Sequence, residues 1–484
     1  MALLPRHKTR IVCTIGPASQ ARGTLERMIR DGMDVARLNL AHGDFESHRA
    51  TIVAIRSAAA RVGLGVTLLA DLPGPKLRVG RLASDQIELK QGQTVRLLAL
   101  DEPESPMPEA AARMPTPRML ELPLTLPSFP DALKAGDDIF LDDGLIRLRV
   151  VAPDKNARPG RRLARVLVGG LLRSRDGVAL PGIDLGISTF TSRDHELLAF
   201  ALSEGIEAIG ISFVQGPQDI SAVREAAATL GFDPFIVAKI ERAQAVERID
   251  AILEVSDAIM VARGDLGVDI PIERITVAQK LLIARANAVG KPVITATQML
   301  ESMTIHRRPS RAEVADVSNA ILDGTDCVML SEETAIGRYP VEAVTVMSRV
   351  ADLTERHLPG TYRPPMNATT VRGVLAEEAT TTAERLDARY IIVPTETGTA
   401  ARTIARLRPE AWIVAFSPFE ETCRRLQFSR GVYPVFVPEA VRLPMSNWHN
   451  IARRWFREQK LRPGLAVMVQ GDNRLEVIDL ATGE

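Results

Sequence analysis

The chain is predicted to be an α/β protein. Its catalytic unit is a (β/α)8 TIM barrel, with an inserted small β-barrel lid domain and a C-terminal α/β domain. Three observations point there. Eight short aliphatic runs, each followed by an amphipathic segment, occupy most of the first ~350 residues, which is the count of a (β/α)8 barrel. Polar and charged residues gather at the C-terminal ends of those runs: Arg37, Asn39, Asp71, Ser212, Lys239, Glu241, Asp265, Thr297 and Ser331. The alternation also breaks once, between Gly80 and Leu180, and changes character again near His357–Asn367.

The predicted strands are Arg10–Ile15, Asp34–Asn39, Val66–Asp71, Ala208–Phe213, Phe235–Glu241, Ala258–Asp265, Pro292–Thr297 and Asp326–Ser331. Between and after them, helical periodicity runs through Thr24–Asp31, Glu46–Arg61, Ser192–Ser203, Gln218–Leu230, Ala245–Val255, Ile272–Val289, Ser310–Leu322 and Pro340–Leu353. A doubly wound open sheet is the rival, but one chemistry spread over so many strand ends favours closure. The expected division is a barrel from 1–79 and 180–356, a lid at 80–179 and a tail domain at 357–484. In the lid, Pro, Gly and charged residues separate runs such as Gln86–Leu89, Asp138–Leu141 and Arg161–Val168. An insertion after the third strand sits at the barrel mouth, where it can exclude water.

Composition narrows the function. Lys+Arg and Asp+Glu are 60 each among 484 residues, so no net positive field draws nucleic acid or an anionic membrane. No stretch approaches the ~20 apolar residues of a membrane span, and the first residues lack a secretory h-region. Cys13, Cys327 and Cys423 are odd in number and far apart, which argues against a disulfide framework. A cytoplasmic protein is expected.

The most informative segment is Phe235–Glu241 followed by Ile259–Gly267. Strand alternation turns Lys239 and Glu241 to the same side, and Asp265 closes the next apolar run. Two carboxylates at neighbouring strand ends suit Mg²⁺ (or Mn²⁺), which takes a few carboxylates plus substrate oxygens. The lysine beside them adds a point charge for a carboxylate or phosphate. Read alone, the pair also fits a structural Lys–Glu ion pair.

Six long blocks then carry a resemblance. They are Lys8–Ser19 (KTRIVCTIGPAS), Gly32–Gly43 (GMDVARLNLAHG), the Lys239/Glu241 segment, Met260–Val268 (MVARGDLGV), Gly290–Met303 (GKPVITATQMLESM) and Arg311–Asp326 (RAEVADVSNAILDGTD). In this order they resemble pyruvate kinase over nearly the whole chain. The resemblance implies Mg²⁺-dependent phosphoryl transfer from phosphoenolpyruvate to ADP in glycolysis, by a homotetramer. It implies Glu241 and Asp265 as metal ligands, and Lys239 and Arg37 as cations on the phosphoryl group. Gly264, Asp265, Arg37 and Thr297 would contact the substrate, with Thr297 near the enolate. Asn39, His42, Arg78 and Arg193 would face the nucleotide; the family commonly has lysine at the last position.

The chain departs from the family at the monovalent site. Relatives hold K⁺ through Asn, Ser and Asp side chains and a Thr carbonyl. Here Asn39 and Asp71 remain, but Ala41 and Leu72 replace the serine and threonine, and Lys76 stands where K⁺-requiring members have glutamate. A fixed ammonium could supply the charge of K⁺, so K⁺ is expected not to be required. Glu333 is expected to be the usual family glutamate, while Glu332 has no assigned role. In the tail domain, Thr395, Thr397, Gly398 and Thr399 form a hydroxyl-rich loop entering a helix, a candidate for a phosphorylated allosteric effector; Glu396 would oppose an anion there. The alternatives are a Mg²⁺-dependent lyase or aldolase of pyruvate-like substrates, and a silent regulatory protein. The first would not need the lid, the tail, and Lys239 with Arg37 together; the second would not need Lys239 or Asp265.

Overall fold

A computed structural model describes residues 4–75, 77–82, 84–100, 119–125, 132–142, 144–153, 161–183, 186–357, 365–439, 447–471 and 473–480. Eight parallel strands close into a barrel: Arg10–Thr14, Met33–Asn39, Thr67–Leu72, Ala208–Ile211, Phe235–Ile240, Ala258–Ala262, Val293–Ala296 and Cys327–Leu330. The first pairs with both the second and the eighth, so no edge is left open. These runs are apolar and β-branched because both faces are covered. One face fills the barrel interior with Val12, Val35, Leu69, Val237, Met260, Ile294 and Met329; the other packs under the helices with residues such as Ile11, Leu38, Ile209, Ile240 and Leu330.

The β-rich insertion follows the third barrel strand. Six strands pair in the order Val178–Ala179, Asp138–Leu141, Ile146–Pro153, Arg161–Val168, Thr94–Leu100 and Leu120–Thr125, and Gly170–Arg173 pairs with Gln86–Leu89. Its core is separate, built from Val95, Leu97, Leu122, Ile139, Leu148 and Val166. It leans on the barrel mouth, where the position of a Cβ on Gly144 lies 3.5 Å from the Val268 side chain.

The tail domain is a five-stranded sheet ordered Val432–Phe436, Trp412–Ser417, Tyr390–Pro394, Leu465–Gln470 and Arg474–Asp479, antiparallel only at the last pair. It docks on the end of the barrel opposite the mouth. Phe428 reaches from it into the barrel interior, fully buried and stacked 5.0 Å from Phe235. Around that plug the contacts are ionic. Arg408 pairs with Asp326 at 3.1 Å. Glu355 accepts from Lys8 N, Thr9 N and Thr9 Oγ1 at 2.6–2.7 Å and faces Arg430 Nε at 3.5 Å.

Sequence and structure part at the ends of elements. The strand predicted as Ala258–Asp265 stops at Ala262, and Arg263–Asp269 is a helix, so Asp265 sits in a helical first turn. The helix predicted over Ala245–Val255 is two, Ala243–Glu247 and Ile249–Val255. Strands Leu120–Thr125, Gly170–Arg173 and Arg474–Asp479 were not legible from alternation.

Candidate active site

The barrel turns the strand-end polar residues inward, and five of them form one buried network. Arg37, on the second strand, donates from Nε to Asp71 Oδ2 at 2.8 Å and also from Nη2. Its Nη1 donates to Thr14 Oγ1 at 2.9 Å. Asp71, 2% exposed, is the penultimate residue of the third strand, and its Oδ1 lies 3.1 Å from Lys239 Nζ. Lys239 also reaches Glu241 Oε1 at 2.9 Å and donates to Ser212 Oγ at 2.7 Å. Ser212 in turn donates to the Leu72 carbonyl at 2.6 Å. Glu241 Oε2 accepts from Phe213 N at 2.7 Å.

Electrostatics hold Lys239 and Asp71 in their charged forms. Burial opposes the charge on Lys239, but the carboxylates of Asp71 and Glu241 outweigh it and raise its pKa. Burial likewise opposes ionisation of Asp71, yet Lys239 and Arg37 hold its pKa below the ordinary value. Glu241 goes the other way. Burial raises its pKa, and the Asp265 carboxylate adds to that against the pull of Lys239. Two carboxylates that repel each other in a dry site fit a divalent cation between them. Among the described residues, no three His, Cys, Asp or Glu side chains gather as a metal site. A cation here would take two carboxylates and complete its shell with substrate and water oxygens.

The opposite wall is a strained turn. Thr297 and Gln298, just past the seventh strand, have φ of +65° and +54°, a left-handed pair that a β-branched residue adopts at a cost. Thr297 Oγ1 donates to Ala296 O at 2.7 Å and accepts from Gly264 N at 2.8 Å. Arg263, 9% exposed, braces the turn. It donates to Thr297 O at 2.7 Å, Ala296 O at 3.3 Å and Gln279 Oε1 at 3.2 Å, and pairs with Asp316 at 2.7 Å. Residue type and position suggest for Arg263 an ion pair supporting the loop; its grip on the carbonyls of the turn has no sequence signal. A small cleft of about 50 Å³ runs between the lid residues Phe140 and Gly144 and the barrel residues Glu241, Arg242 and Asp265.

The remaining expected site residues are more dispersed. Asn39 Oδ1 accepts from Ala41 N at 3.2 Å, closing the turn before His42, whose carbonyl accepts from His48 Nε2. Arg193 stacks 5.1 Å over Phe45, near that turn, and pairs with Glu196. Arg78 is drawn towards the lid, donating to Arg175 O at 2.9 Å. Lys76 lies outside the described residues. Glu333 is buried and accepts from Leu300 N and Ser331 N, tying the last two strand-end loops together, whereas Glu332 is exposed. In the tail loop, Gly398 N donates to Thr395 Oγ1 at 2.9 Å and the hydroxyls of Thr397 and Thr399 bond each other at 2.9 Å. Those groups are engaged with one another.

A closed barrel whose mouth sets fixed cations against paired carboxylates, beside a β-rich insertion, defines a class of barrel enzymes that act on anionic substrates. The comparisons name the family. The family model "Pyruvate kinase, barrel domain" matches residues 6–344, and "Pyruvate kinase, alpha/beta domain" matches residues 374–475. The chain is 42% identical to the pyruvate kinase of Thermococcus litoralis, over 90% of each chain. It is 43% identical to that of Geobacillus stearothermophilus, over 90% of this chain and 72% of the relative. A crystal structure of a pyruvate kinase from Cryptosporidium parvum superposes with a TM-score of 0.87 at 34% identity, covering 98% of this chain and 96% of that one. The chain belongs to the pyruvate kinase family and is a phosphotransferase.

Proposed function

We propose that the chain transfers the phosphoryl group of phosphoenolpyruvate to ADP in glycolysis, with Mg²⁺ bound by Glu241 and Asp265 and with no need for K⁺. The observation that carries this reading is Lys239, fixed among Asp71, Glu241 and Ser212 with Arg37 on the far side of Asp71. The metal, when bound, neutralises charge on the substrate's oxygens. Lys239 and Arg37 stabilise the phosphoryl group in flight from positions that need no reorganisation. The N–H of Gly264 exchanges Thr297 Oγ1 for the substrate carboxylate, aided by Asp265 N–H in the same helical turn. The freed Thr297 hydroxyl then faces the enolate and helps deliver the proton that completes pyruvate. Asn39, His42, Arg78 and Arg193 receive the nucleotide phosphates as the lid closes.

Independence from K⁺ is supported by the fate of the family's ligand positions. The Asp71 carboxylate is taken by Arg37 and Lys239, the Leu72 carbonyl by Ser212 Oγ, and Asn39 Oδ1 by Ala41 N. Lys76 supplies the remaining charge. Homotetramer assembly is supported by apolar residues left exposed around one barrel helix, Ile272 (74%), Val277 (69%) and Leu281 (41%). A phosphorylated effector is assigned to the Thr395, Thr397, Gly398 and Thr399 loop because hydroxyls and N–H groups cluster there. Cytoplasmic residence fits three free, buried cysteines, and among the described residues no helix is long and apolar enough to cross a membrane.

The test is pyruvate formation from phosphoenolpyruvate, ADP and Mg²⁺ in K⁺-free buffer, then with K⁺ added. Full turnover without K⁺ is the expected result. Turnover only with K⁺ refutes the charge-substitution part. No turnover in either buffer refutes the reaction.

A further inference from the structure

The fourth barrel strand, Ala208–Ile211, runs out into Ser212 and Phe213. Ser212 Oγ accepts from Lys239 Nζ and donates to the carbonyl of Leu72, the residue at which the chain leaves the third strand for the lid. Its neighbour reaches the other charged group of the fifth strand's end, since Phe213 N donates to Glu241 Oε2 at 2.7 Å. Phe213 has a φ of +56°, in the left-handed region that bulky side chains rarely adopt. Such a conformation persists only where the surroundings hold it from several sides.

Phe213 is held at its backbone and at its ring. The Glu241 carboxylate takes the N–H, and the next residue, Arg242, sets its guanidinium carbon 5.5 Å from the ring centroid. On another side the ring meets the stems of the lid. Gly74, on the outgoing stem, has a φ of +61°, and a Cβ there would lie 3.2 Å from Phe213 Cδ2 and 3.4 Å from Thr189 O on the returning stem. A glycine lets the outgoing stem pass this close to both. A cleft of about 20 Å³ continues the contact, lined by Pro75 and Leu77 of the outgoing stem, Ile183 and Ile187 of the returning one, Phe213 and Arg242. The half-buried ring is a wedge where the two stems meet the barrel.

The consequence falls on Glu241. Its Oε1 faces Lys239 Nζ at 2.9 Å and its Oε2 takes the Phe213 N–H, so two donors fix the plane of the carboxylate and leave its other lone pairs for a cation. Hydrogen bonds to a ligating carboxylate commonly govern metal affinity by about 10- to 100-fold. Lys239 is held independently, by Asp71 and Ser212. The aim of the Phe213 N–H depends instead on a backbone conformation that the wedged ring maintains. We propose that Phe213 is a positioning residue for Glu241, and that its ring, lodged against the stem at Gly74, ties the aim of that carboxylate to the place of the lid. The inference rests on the reading of Glu241 as a metal ligand given above. Such a tie is reciprocal: a cation at Glu241 must bias the stem as much as the stem biases the cation.

Direct binding of Mn²⁺ to the substrate-free full chain, read from the electron paramagnetic resonance of the free ion, tests the positioning without turnover. Phe213→Ala keeps the N–H but removes the wedge, and should weaken Mn²⁺ at least about tenfold. Phe213→Tyr keeps the ring and should stay within about twofold of the parent. Phe213→Leu, which fills part of the space without a flat face for Arg242, guards against misfolding and should fall between them. Affinity within about twofold of the parent in both the alanine and leucine variants overturns the proposal, as do equal losses in the alanine and tyrosine variants. Glu241→Gln separates the two readings. Loss of Mn²⁺ there with parent-like binding in Phe213→Ala sinks the positioning role alone, whereas parent-like binding in Glu241→Gln refutes the metal ligand and the positioning role with it. Hydrogen exchange over Leu77–Leu82, at Mn²⁺ saturation of each protein, tests the tie to the lid. Mn²⁺ should slow exchange there in the parent and not in Phe213→Ala; equal protection in both, or none in either, overturns the tie.

Discussion

Replacing Arg263 by methionine removes the brace on the left-handed turn while keeping an unbranched apolar stem in its place. The parent side chain gives a charged donor to Thr297 O at 2.7 Å, longer bonds to Ala296 O and Gln279, and an ion pair to Asp316. Hydrogen bonds from a charged group contribute about 1.5–3 kcal/mol each. The Asp316 side chain is 35% exposed, so that pair adds at most about 1 kcal/mol after screening. A loss of about 3 kcal/mol compares with about 1–3 kcal/mol stored in each left-handed residue. The turn should therefore relax, and the Thr297 hydroxyl should lose the fixed aim at the enolate that proton delivery needs. With about 1.4 kcal/mol per decade, kcat for pyruvate formation should fall roughly a hundredfold. The KM for phosphoenolpyruvate should stay within about threefold, because Lys239 and Arg37 are untouched. Arg263→Lys, which restores one or two donors, should recover part of kcat. A folded Arg263→Met enzyme with kcat within about threefold of the parent would refute the argument.

Three other perturbations follow from the same geometry. Asp71→Asn leaves two buried cations short of their shared partner and should cost about 3–5 kcal/mol in urea unfolding; a change under about 1 kcal/mol would mean the network is relaxed by water. Glu355 is pushed up by burial, but Arg430 and the Thr9 and Lys8 donors outweigh this and hold its pKa below the ordinary 4.5. Its stabilisation is therefore complete above the unfolded-state pKa and lost as pH falls through the lower folded value, so Glu355→Gln should lose stability at neutral pH and show a shallower further loss below about pH 4.5. Parallel acid-unfolding curves for parent and variant would contradict that. Gly398 has φ of +78°, and a Cβ there would lie 2.9 Å from the Leu426 side chain, so Gly398→Ala should destabilise the tail domain by about 1–3 kcal/mol in chemical denaturation. An unchanged midpoint would show that the loop can shift.

Much of the architecture was legible because hydrophobic period and chain order are strong signals. All eight barrel strands lie where apolar runs were read, and six of them stop one to three residues short of the predicted end, since residues such as Asp265 and Thr297 leave the ladder to turn into the mouth. Lys239, Glu241, Asp71 and Arg37 could be nominated from residue type and position. Their mutual pairing could not, because it depends on which strands become neighbours and how deep each side chain sits. Arg263 was visible as a residue but not as a brace, since nothing in a sequence announces two consecutive left-handed residues without glycine. The lid strand Leu120–Thr125 was hidden by an internal proline, which interrupts the alternation.

Phe428 gives the barrel a property that its own strands do not supply. An eight-stranded barrel has two open ends, and here the end away from the mouth is stoppered by a ring that belongs to another part of the chain. The barrel's own strands thus leave one end of its core for another part of the chain to cover, however complete the strand count. A fragment ending after the last barrel helix would expose Phe235 and its neighbours to water at the unstoppered end. The tail domain is in this sense a piece of the barrel's core delivered late in synthesis, and the floor of the barrel is closed only when the last quarter of the chain has folded back beneath it.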